Sequence, residues 1–234
     1  MCGRYTLTMP VDSIRELFDL KVRSDLTGRY NLAPGQDITA LYLNKDGEFQ
    51  LTTQNWGLLP NWARDLKSTK RMINARSETI ENKPYFRQAF QRRRCLIPAD
   101  GFYEWKKVTN QIKQPYYIRL NGGIPFCFAG IWEKFTSRDH GPLETCAILT
   151  TEATPELNLI HHRMPVILPR INYETWLTGN VKNVRPLLVS FNGKTENWPV
   201  SNLVNNIQND MPELKDKIKL EVLKKPNPTQ LKLL

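Results

Sequence analysis

The second residue of this chain, Cys2, directly follows Met1 in the run Met1-Cys2-Gly3-Arg4-Tyr5. Enzymes that remove methionine tolerate a small side chain at position two, and their action would leave Cys2 with an amine and a thiol on adjacent carbons. Such a pair condenses with an aldehyde to an imine and then closes a thiazolidine ring. The amine titrates at about 7.7–8.0, so part of it is free base at neutral pH. The alternative is a small buried cysteine at the start of a first strand.

A second polar segment runs from Met72 to Thr79. In an extended backbone Asn74 and Arg76 point to the same side, so that an amide and a guanidinium line one surface. Arginine is suited to holding a phosphate through two parallel hydrogen bonds. A structural ion pair between Arg76 and a nearby acid is the alternative.

Glu104 lies between Tyr103 and Trp105 in a strand-like run. Burial between aromatic side chains would raise its pKa towards neutrality and make it a useful proton carrier for imine formation. Pairing with an arginine is the alternative, and it would move the pKa in the opposite direction.

The run His161-His162-Arg163 enters another apolar strand. One imidazole beside a guanidinium is suited to acid–base chemistry next to a phosphate. Adjacent residues of a strand face opposite ways, so at most one of the two histidines lines a given site. A histidine that is merely packed is the alternative.

Composition favours a nucleic-acid partner. The 234 residues carry a formal net charge of +10 with a pI near 9.5, which indicates a polyanionic ligand. Arg4, Arg76 and Arg163 recur inside apolar segments, where a merely solvated charge would be costly.

The same composition, 40% hydrophobic and 24% charged, is that of an ordinary globular protein. Cys2, Cys95, Cys127 and Cys146 are scattered, which predicts reduced cysteines and neither disulfides nor a zinc site. We expect no metal or cofactor. Without an apolar run of membrane-spanning length or a secretory signal pattern, we expect a cytoplasmic protein, associated with the nucleoid when bound to DNA.

Hydrophobic patterning predicts one α+β domain, mostly antiparallel, over residues 1–211. A basic tail, partly ordered, is expected over 212–234. Helices are expected over 10–20, 84–93 and 172–178 and from Thr154, with Arg92-Arg93-Arg94 as a solvated helix end or a DNA contact. Asp46-Gly47 predicts a hairpin turn. The predicted strands are 38–43, 48–55, 94–97, 102–106, 115–120, 125–132, 144–151 and 164–168.

The motifs of this chain resemble the signature of the SRAP (SOS-response-associated peptidase) family across nearly its whole length. The matching runs include Cys2-Gly3-Arg4-Tyr5, Tyr30-Asn31-x-Ala33-Pro34, Trp56-Gly57-Leu58-x-Pro60-x-Trp62, Asn74-Ala75-Arg76-Ser77-Glu78-Thr79, Arg94-Cys95-Leu96-Ile97-Pro98-Ala99-x-Gly101-Phe102-Tyr103-Glu104-Trp105, Phe128-Ala129-Gly130-x-Trp132, Leu149-Thr150-Thr151 and His161-x-Arg163-Met164-Pro165.

The resemblance implies a barrel-like β core with peripheral helices and a sensor of abasic sites in single-stranded DNA. A covalent adduct with the lesion needs only a monomer, which is the expected state. It implies Cys2 as the nucleophile, Asn74, Glu104 and His161 as the other active-site residues, and Arg4, Arg76 and Arg163 as DNA contacts. His162 occupies a variable position of its motif, so His161 is preferred. The family name implies a peptidase activity, most plausibly removal of Met1, and an imine intermediate would also permit strand cleavage (lyase activity) in the DNA damage response.

Trp62 is a candidate for stacking on an unpaired base, whereas core packing is the expectation for Trp56. Two other classes of function stay open: a cysteine amidohydrolase with Cys2 as its nucleophile, and a single-strand-binding module without catalysis.

Overall fold

A computed structural model describes residues 2–18, 27–44, 46–63, 65, 68–136 and 141–220. Most of these residues lie in strands and the turns between them. The strands are β1 (Tyr5–Leu7), β2 (Arg29–Leu32), β3 (Asp37–Leu43), β4 (Phe49–Trp56), β5 (Asn74–Arg76), β6 (Arg94–Ala99), β7 (Gly101–Lys107), β8 (Lys113–Leu120), β9 (Phe126–Phe135), β10 (Leu143–Glu152), β11 (Arg163–Pro165), β12 (Ile167–Leu168) and β13 (Thr195–Pro199). The helices are α1 (Val11–Phe18), α2 (Arg87–Arg92), α3 (Pro155–Asn158), α4 (Tyr173–Thr178) and α5 (Val181–Val184).

Five strands form a closed ring. β4, β3, β6, β9 and β10 pair in that order, and β10 pairs again with β4 to complete the barrel. The closing pair is parallel and joins Thr145 to Asn55 and Cys146 to Trp56, whereas the other pairs of the ring are antiparallel. The expectation of a mostly antiparallel, barrel-like core with peripheral helices is confirmed.

A second sheet, in the order β13-β8-β7-β1-β2, packs beside the barrel. The Tyr5 ring from β1 meets Trp56 and Phe128 edge-on at centroid distances of 5.5 and 5.7 Å. Trp56 is fully buried and donates through Nε1 to the Ile73 carbonyl at 2.9 Å. The expected core role of Trp56 is therefore confirmed, and β1 is fixed against the barrel.

The predicted helices differ from the observed ones mainly in length. α2 spans only Arg87–Arg92, although Phe86, Ala89 and Phe90 are buried on the inner side of this segment. α3 begins after Thr154, whose side chain accepts from Leu157 N. Ile14 of α1 is buried, while residues 19 and 20 lie outside the described part of the chain.

The prediction of a solvated helix end at Arg92-Arg93-Arg94 is wrong for its last two members. Arg93 donates from Nη2 to the buried Glu133 at 2.6 Å. Arg94 begins β6, is only 8% exposed, and donates to the carbonyls of Trp176 (2.5 Å), Phe90 (2.6 Å) and Gly179. Buried guanidinium groups are tolerated when their donors are satisfied in this way. Arg92 remains exposed on α2.

The segment after β13 packs on the second sheet. Leu214 is fully buried in a cluster with Tyr103 and Tyr117, and Asp210 accepts from Asn31 N at 3.1 Å. Residues 221–234 of the predicted basic tail lie outside the described residues. Within the described part of the chain, no helix is long and apolar enough to cross a membrane.

Candidate active site and nucleic-acid interface

Cys2 lies just ahead of β1 and is completely buried. Asn74, the first residue of β5, donates from Nδ2 to the Cys2 carbonyl oxygen at 2.8 Å. The Cys2 thiol approaches the Arg4 carbonyl oxygen at 3.8 Å. Two of the residues singled out from sequence, 72 positions apart, are therefore in direct contact.

The pairing of β1 with β7 brings Cys2 close to Glu104. Tyr5 is opposite Phe102, and Tyr103 N donates to the Arg4 carbonyl at 3.0 Å. In an antiparallel pair this register carries the residues ahead of Tyr5 alongside Glu104. The electrostatic effect of Glu104 on the Cys2 thiol agrees with this placement.

Asp100 fixes that register. Its carboxylate accepts the Thr8 backbone N–H at 2.7 Å and the hydroxyls of Thr6 and Thr8, and its own N–H donates to the Thr6 carbonyl at 3.0 Å. All these bonds join the β6–β7 corner to β1. Asp100 is a residue that the sequence interpretation missed, because nothing local indicates which strand it would hold.

Glu104 is only 3% exposed, and burial raises the pKa of its carboxyl group. The pKa of the Cys2 thiol is also raised, chiefly by burial and then by the charge of Glu104. Both groups therefore keep their protons at higher pH than in water. This is the direction expected of a proton carrier at Glu104.

His161 and His162 occupy different environments. His161 is partly buried, and its Nδ1 lies 3.0 Å from the Arg163 backbone nitrogen and 3.2 Å from the Arg163 carbonyl oxygen. Burial lowers the pKa of His161 to about 4. The charge of Lys113 acts on both His161 and Glu104, so these two side chains share one neighbourhood.

His162 is exposed, and its ring stacks on that of His161 at a centroid distance of 4.5 Å. It lines a cavity of about 600 Å³ together with Arg76 and Arg163. His162 thus faces this cavity.

The three arginines differ in how firmly they are held. Arg163 is 8% exposed and binds both carboxylate oxygens of Glu78, at 2.6 and 3.0 Å, as well as the Thr150 carbonyl at 2.6 Å. The ion pair considered for Arg76 is thus formed by Arg163. Arg76 is exposed, and the partly buried Arg4 donates from Nη1 to the Gly3 carbonyl at 2.9 Å.

A basic cleft of about 610 Å³ opens beside Asn74. Its lining carries four cationic side chains and an aromatic wall that includes Tyr85, and none of its lining residues is acidic. The cationic residues are Lys70, Arg71, Arg76 and Lys83. Arg76 lines both this cleft and the His162 cavity, whose lining also includes Glu152, so the two adjoin at Arg76. Lys70, Arg71 and Lys83 were missed from sequence, although they flank the Asn74–Arg76 segment within nine residues.

Trp62 is 58% exposed and meets the Tyr85 ring edge-on at a centroid distance of 5.8 Å. Tyr85 lines the basic cleft, so Trp62 stands at its edge with a free ring surface. This arrangement is typical of sites where unpaired bases stack on aromatic side chains.

The described residues contain no group of three His, Cys, Asp or Glu side chains that is arranged to hold a metal ion. What the site offers is a held cysteine, a buried carboxyl group, a neutral imidazole and a cationic cleft with an aromatic edge.

Comparison with known proteins gives one consistent result. The family model described as SOS response associated peptidase (SRAP) matches residues 1–207. The chain is 42% identical over 225 residues to the abasic site processing protein YoaM of Bacillus subtilis (strain 168), an alignment that covers 92% of this chain and 98% of that protein. It is 30% identical over 226 residues to the abasic site processing protein YedK of Escherichia coli (strain K12), with coverage of 92% and 98%. A solved structure of a protein from Bacteroides thetaiotaomicron matches with a TM-score of 0.80 at 26% identity, over 93% of this chain and 100% of that one.

Proposed function

Because this chain belongs to the SOS response associated peptidase (SRAP) family, we propose that it processes abasic sites in DNA by crosslinking to them covalently through Cys2. The observation that carries the proposal is the hydrogen bond from Asn74 Nδ2 to the Cys2 carbonyl at 2.8 Å. Asn74 also lines the basic cleft, so the nucleophile is held at the inner end of a surface that suits a DNA strand.

The reactive form requires removal of Met1, because the amine of Cys2 is otherwise part of a peptide bond. An abasic sugar is in equilibrium with its ring-opened aldehyde. The neutral His161 imidazole has one protonated and one unprotonated ring nitrogen and is suited to transferring a proton as the sugar ring opens. Asn74 holds Cys2 in place for attack.

The covalent steps balance without a further reactant. The Cys2 amine adds to the aldehyde carbon, and Glu104 in its acid form protonates the resulting hydroxyl, which leaves as water to give an imine. The Cys2 sulfur then bonds to the imine carbon, the thiol proton passes to the Glu104 carboxylate, and the imine nitrogen becomes the N–H of a thiazolidine. The raised pKa of Glu104 favours its acid form for the first transfer.

Ring closure explains why cysteine is required. A bare imine next to the C2 hydrogens of the sugar tends towards β-elimination and strand cleavage. The thiazolidine removes the imine and shields the lesion. Lyase activity is thus a side path of the open imine, which Cys2→Ala would retain through its amine.

Affinity for single-stranded DNA is assigned to charge and stacking. Arg76 and Arg4 contact phosphates, while Arg163, paired with Glu78, lines the His162 cavity beside Arg76. Trp62 stacks on an unpaired base next to the lesion. Binding is then expected to weaken as salt rises, since each neutralised phosphate releases counterions.

A cysteine peptidase is the second candidate, with Met1 as its substrate. Hydrolysis of added peptides requires a thiolate, and burial raises the pKa of the Cys2 thiol above its ordinary value. The environment of Cys2 therefore favours a reaction in which the amine attacks first. Removal of Met1 by the protein itself would need only one cleavage per molecule, whereas hydrolysis of added peptides needs repeated turnover.

The test is a denaturing gel with processed protein and a single-stranded oligonucleotide carrying one abasic site. We expect one shifted band, equal in mass to protein plus DNA minus one water, that borohydride does not reduce. Cys2→Ala should lose this stable species, and Cys127→Ala, which removes another buried thiol, should retain it. An intact oligonucleotide controls for the lesion, and a fluorogenic peptide tests the second candidate. Lack of a wild-type adduct, or an equally stable adduct with Cys2→Ala, refutes the proposal.

A further inference from the structure

A separate cavity of about 560 Å³ lies between Trp62 and the outer face of α2. We call it the α2 cleft. It is lined by Trp62 and, from α2, by Arg87, Gln88, Gln91 and Arg92. None of the four α2 side chains has a role in the proposed chemistry, and all four are exposed.

Trp62 and Tyr85 form the wall between the α2 cleft and the basic cleft. Trp62 lines the α2 cleft, Tyr85 lines the basic cleft, and the two rings are in edge contact. The loop that carries Trp62 is tied to α2 by Asn61, which donates from Nδ2 to Gln88 Oε1 at 3.0 Å. A strand that leaves the basic cleft over this wall reaches α2 next.

The charge of the α2 cleft is positive. Its acidic lining residue, Glu81, is bound by both Nε and Nη2 of Arg185, at 2.7 and 2.5 Å. No hydrogen bond or ion pair is recorded for the guanidinium groups of Arg87 and Arg92 within the described part of the chain. These two arginines are the first and last residues of α2, and both line the cleft.

We propose that the α2 cleft is a second DNA-binding site, in which Arg87 and Arg92 hold backbone phosphates of the lesion-bearing strand beyond the Trp62–Tyr85 wall. The inference rests on the proposed function, because it takes the basic cleft as the path of the damaged strand. Guanidinium groups with free donors suit phosphate, and the amides of Gln88 and Gln91 add neutral donors beside them.

The test measures binding without chemistry. Oligonucleotides carry a tetrahydrofuran abasic analogue, which has no aldehyde, and extend by one to eight nucleotides on the 5′ or the 3′ side. Fluorescence anisotropy compares the wild type with Arg87→Gln/Arg92→Gln. Arg170→Gln/Lys182→Gln, at two exposed residues elsewhere, removes the same charge and serves as the matched control.

We expect the affinity of the wild type to rise when the 5′ or the 3′ extension is long enough to pass the Trp62–Tyr85 wall. The α2 variant should lose that gain, binding the longer oligonucleotides roughly 2- to 30-fold more weakly than the wild type. The slope of log K against log salt should fall by about 1.4 for two phosphates. Binding of the shortest oligonucleotides should not change.

A complementary strand is then annealed to the flank whose extension raises the affinity. The change in affinity distinguishes whether the α2 cleft binds the phosphates of a continuing single strand or those of a duplex end. Equal binding of long oligonucleotides by wild type and variant, or an equal loss at every length, overturns the inference. So does the same loss in the matched control. Since the tetrahydrofuran oligonucleotide forms no adduct, these outcomes are independent of whether Cys2 crosslinks.

Discussion

The hydrogen bonds of Asp100 to Thr6 and Thr8, which we call the Asp100 clamp, give the most direct test of how the fold positions Cys2. Asp100→Ala removes the acceptor of the Thr8 backbone N–H, which donates to it at 2.7 Å, and of the Thr6 and Thr8 hydroxyls. The hydroxyls can turn to other acceptors: the Gly101 carbonyl is 3.3 Å from Thr6 Oγ1. The Thr8 N–H has no such freedom.

The magnitude follows from that single backbone donor. A hydrogen bond to a charged group contributes about 1.5–3 kcal/mol. For a domain of this size each kcal/mol lowers Tm by about 2–4 °C, so Asp100→Ala should lower Tm by roughly 3–12 °C. Asp100→Asn should lower Tm much less, because the amide oxygen can keep the Thr8 N–H while the Thr6 hydroxyl turns away.

Two measurements test this reasoning. Thermal denaturation compares Asp100→Ala and Asp100→Asn with Asp46→Ala, a change at an exposed aspartate in the β3–β4 loop. Hydrogen exchange at the Thr8 amide reports on the clamp itself. The rate of crosslinking should fall most in the variant in which β1 is least stable, because the β1–β7 pairing brings Cys2 close to Glu104.

A Tm for Asp100→Ala within about 1 °C of wild type would refute the energetic estimate. An unchanged exchange rate at Thr8 would show that β1 does not depend on Asp100. If β1 loosens but the crosslinking rate is unchanged, the register is not what positions Cys2.

Three further predictions concern single residues. Trp62→Ala should weaken binding of a single-stranded abasic analogue by about 1–3 kcal/mol, or about 5- to 150-fold, and equal affinity in anisotropy would exclude stacking. The His161 ring should titrate in NMR spectra with a midpoint of about 4. Between about pH 6.5 and 4 the unfolded state then binds more protons than the folded state, so the free energy of unfolding of the wild type should fall more steeply with falling pH than that of His161→Gln. Equal slopes would contradict this. Gly101→Ala would place a Cβ on the Tyr117 ring and should cost about 1–3 kcal/mol, so an unaltered Tm would show that the ring can move.

Much of the barrel could be predicted from local pattern. β3, β4, β6 and β9 are runs of alternating or continuous apolar residues bounded by turn residues, and each was predicted to within a few residues. The order of the ring was not predictable, because its closing contact joins Cys146 to Trp56 across ninety positions. Short strands such as β1 and β13 carry too few residues for a pattern.

The site shows the same division. Asn74, Glu104 and His161 could be selected because polar residues inside apolar runs are costly unless they have a use. The residues that bind the buried arginines could not be identified from sequence. Arg94 and Arg163 are buried only because the fold brings carbonyl oxygens, or for Arg163 also Glu78, to their guanidinium groups. The residues that supply these acceptors are up to 85 positions away in sequence.

The burial of Cys2 constrains when its terminus can be processed. In the second sheet β1 pairs with β2 and β7. Its pairing with β7 can form only after the ribosome has synthesised Gly101 and Phe102. At about 5–20 residues per second, translation of those hundred residues takes about 5–20 s. During that interval the start of the nascent chain is open to an aminopeptidase, whereas in the finished fold Cys2 is packed into its site. Removal of Met1 by another enzyme is therefore expected during synthesis, whereas removal by the protein's own site would require the completed fold.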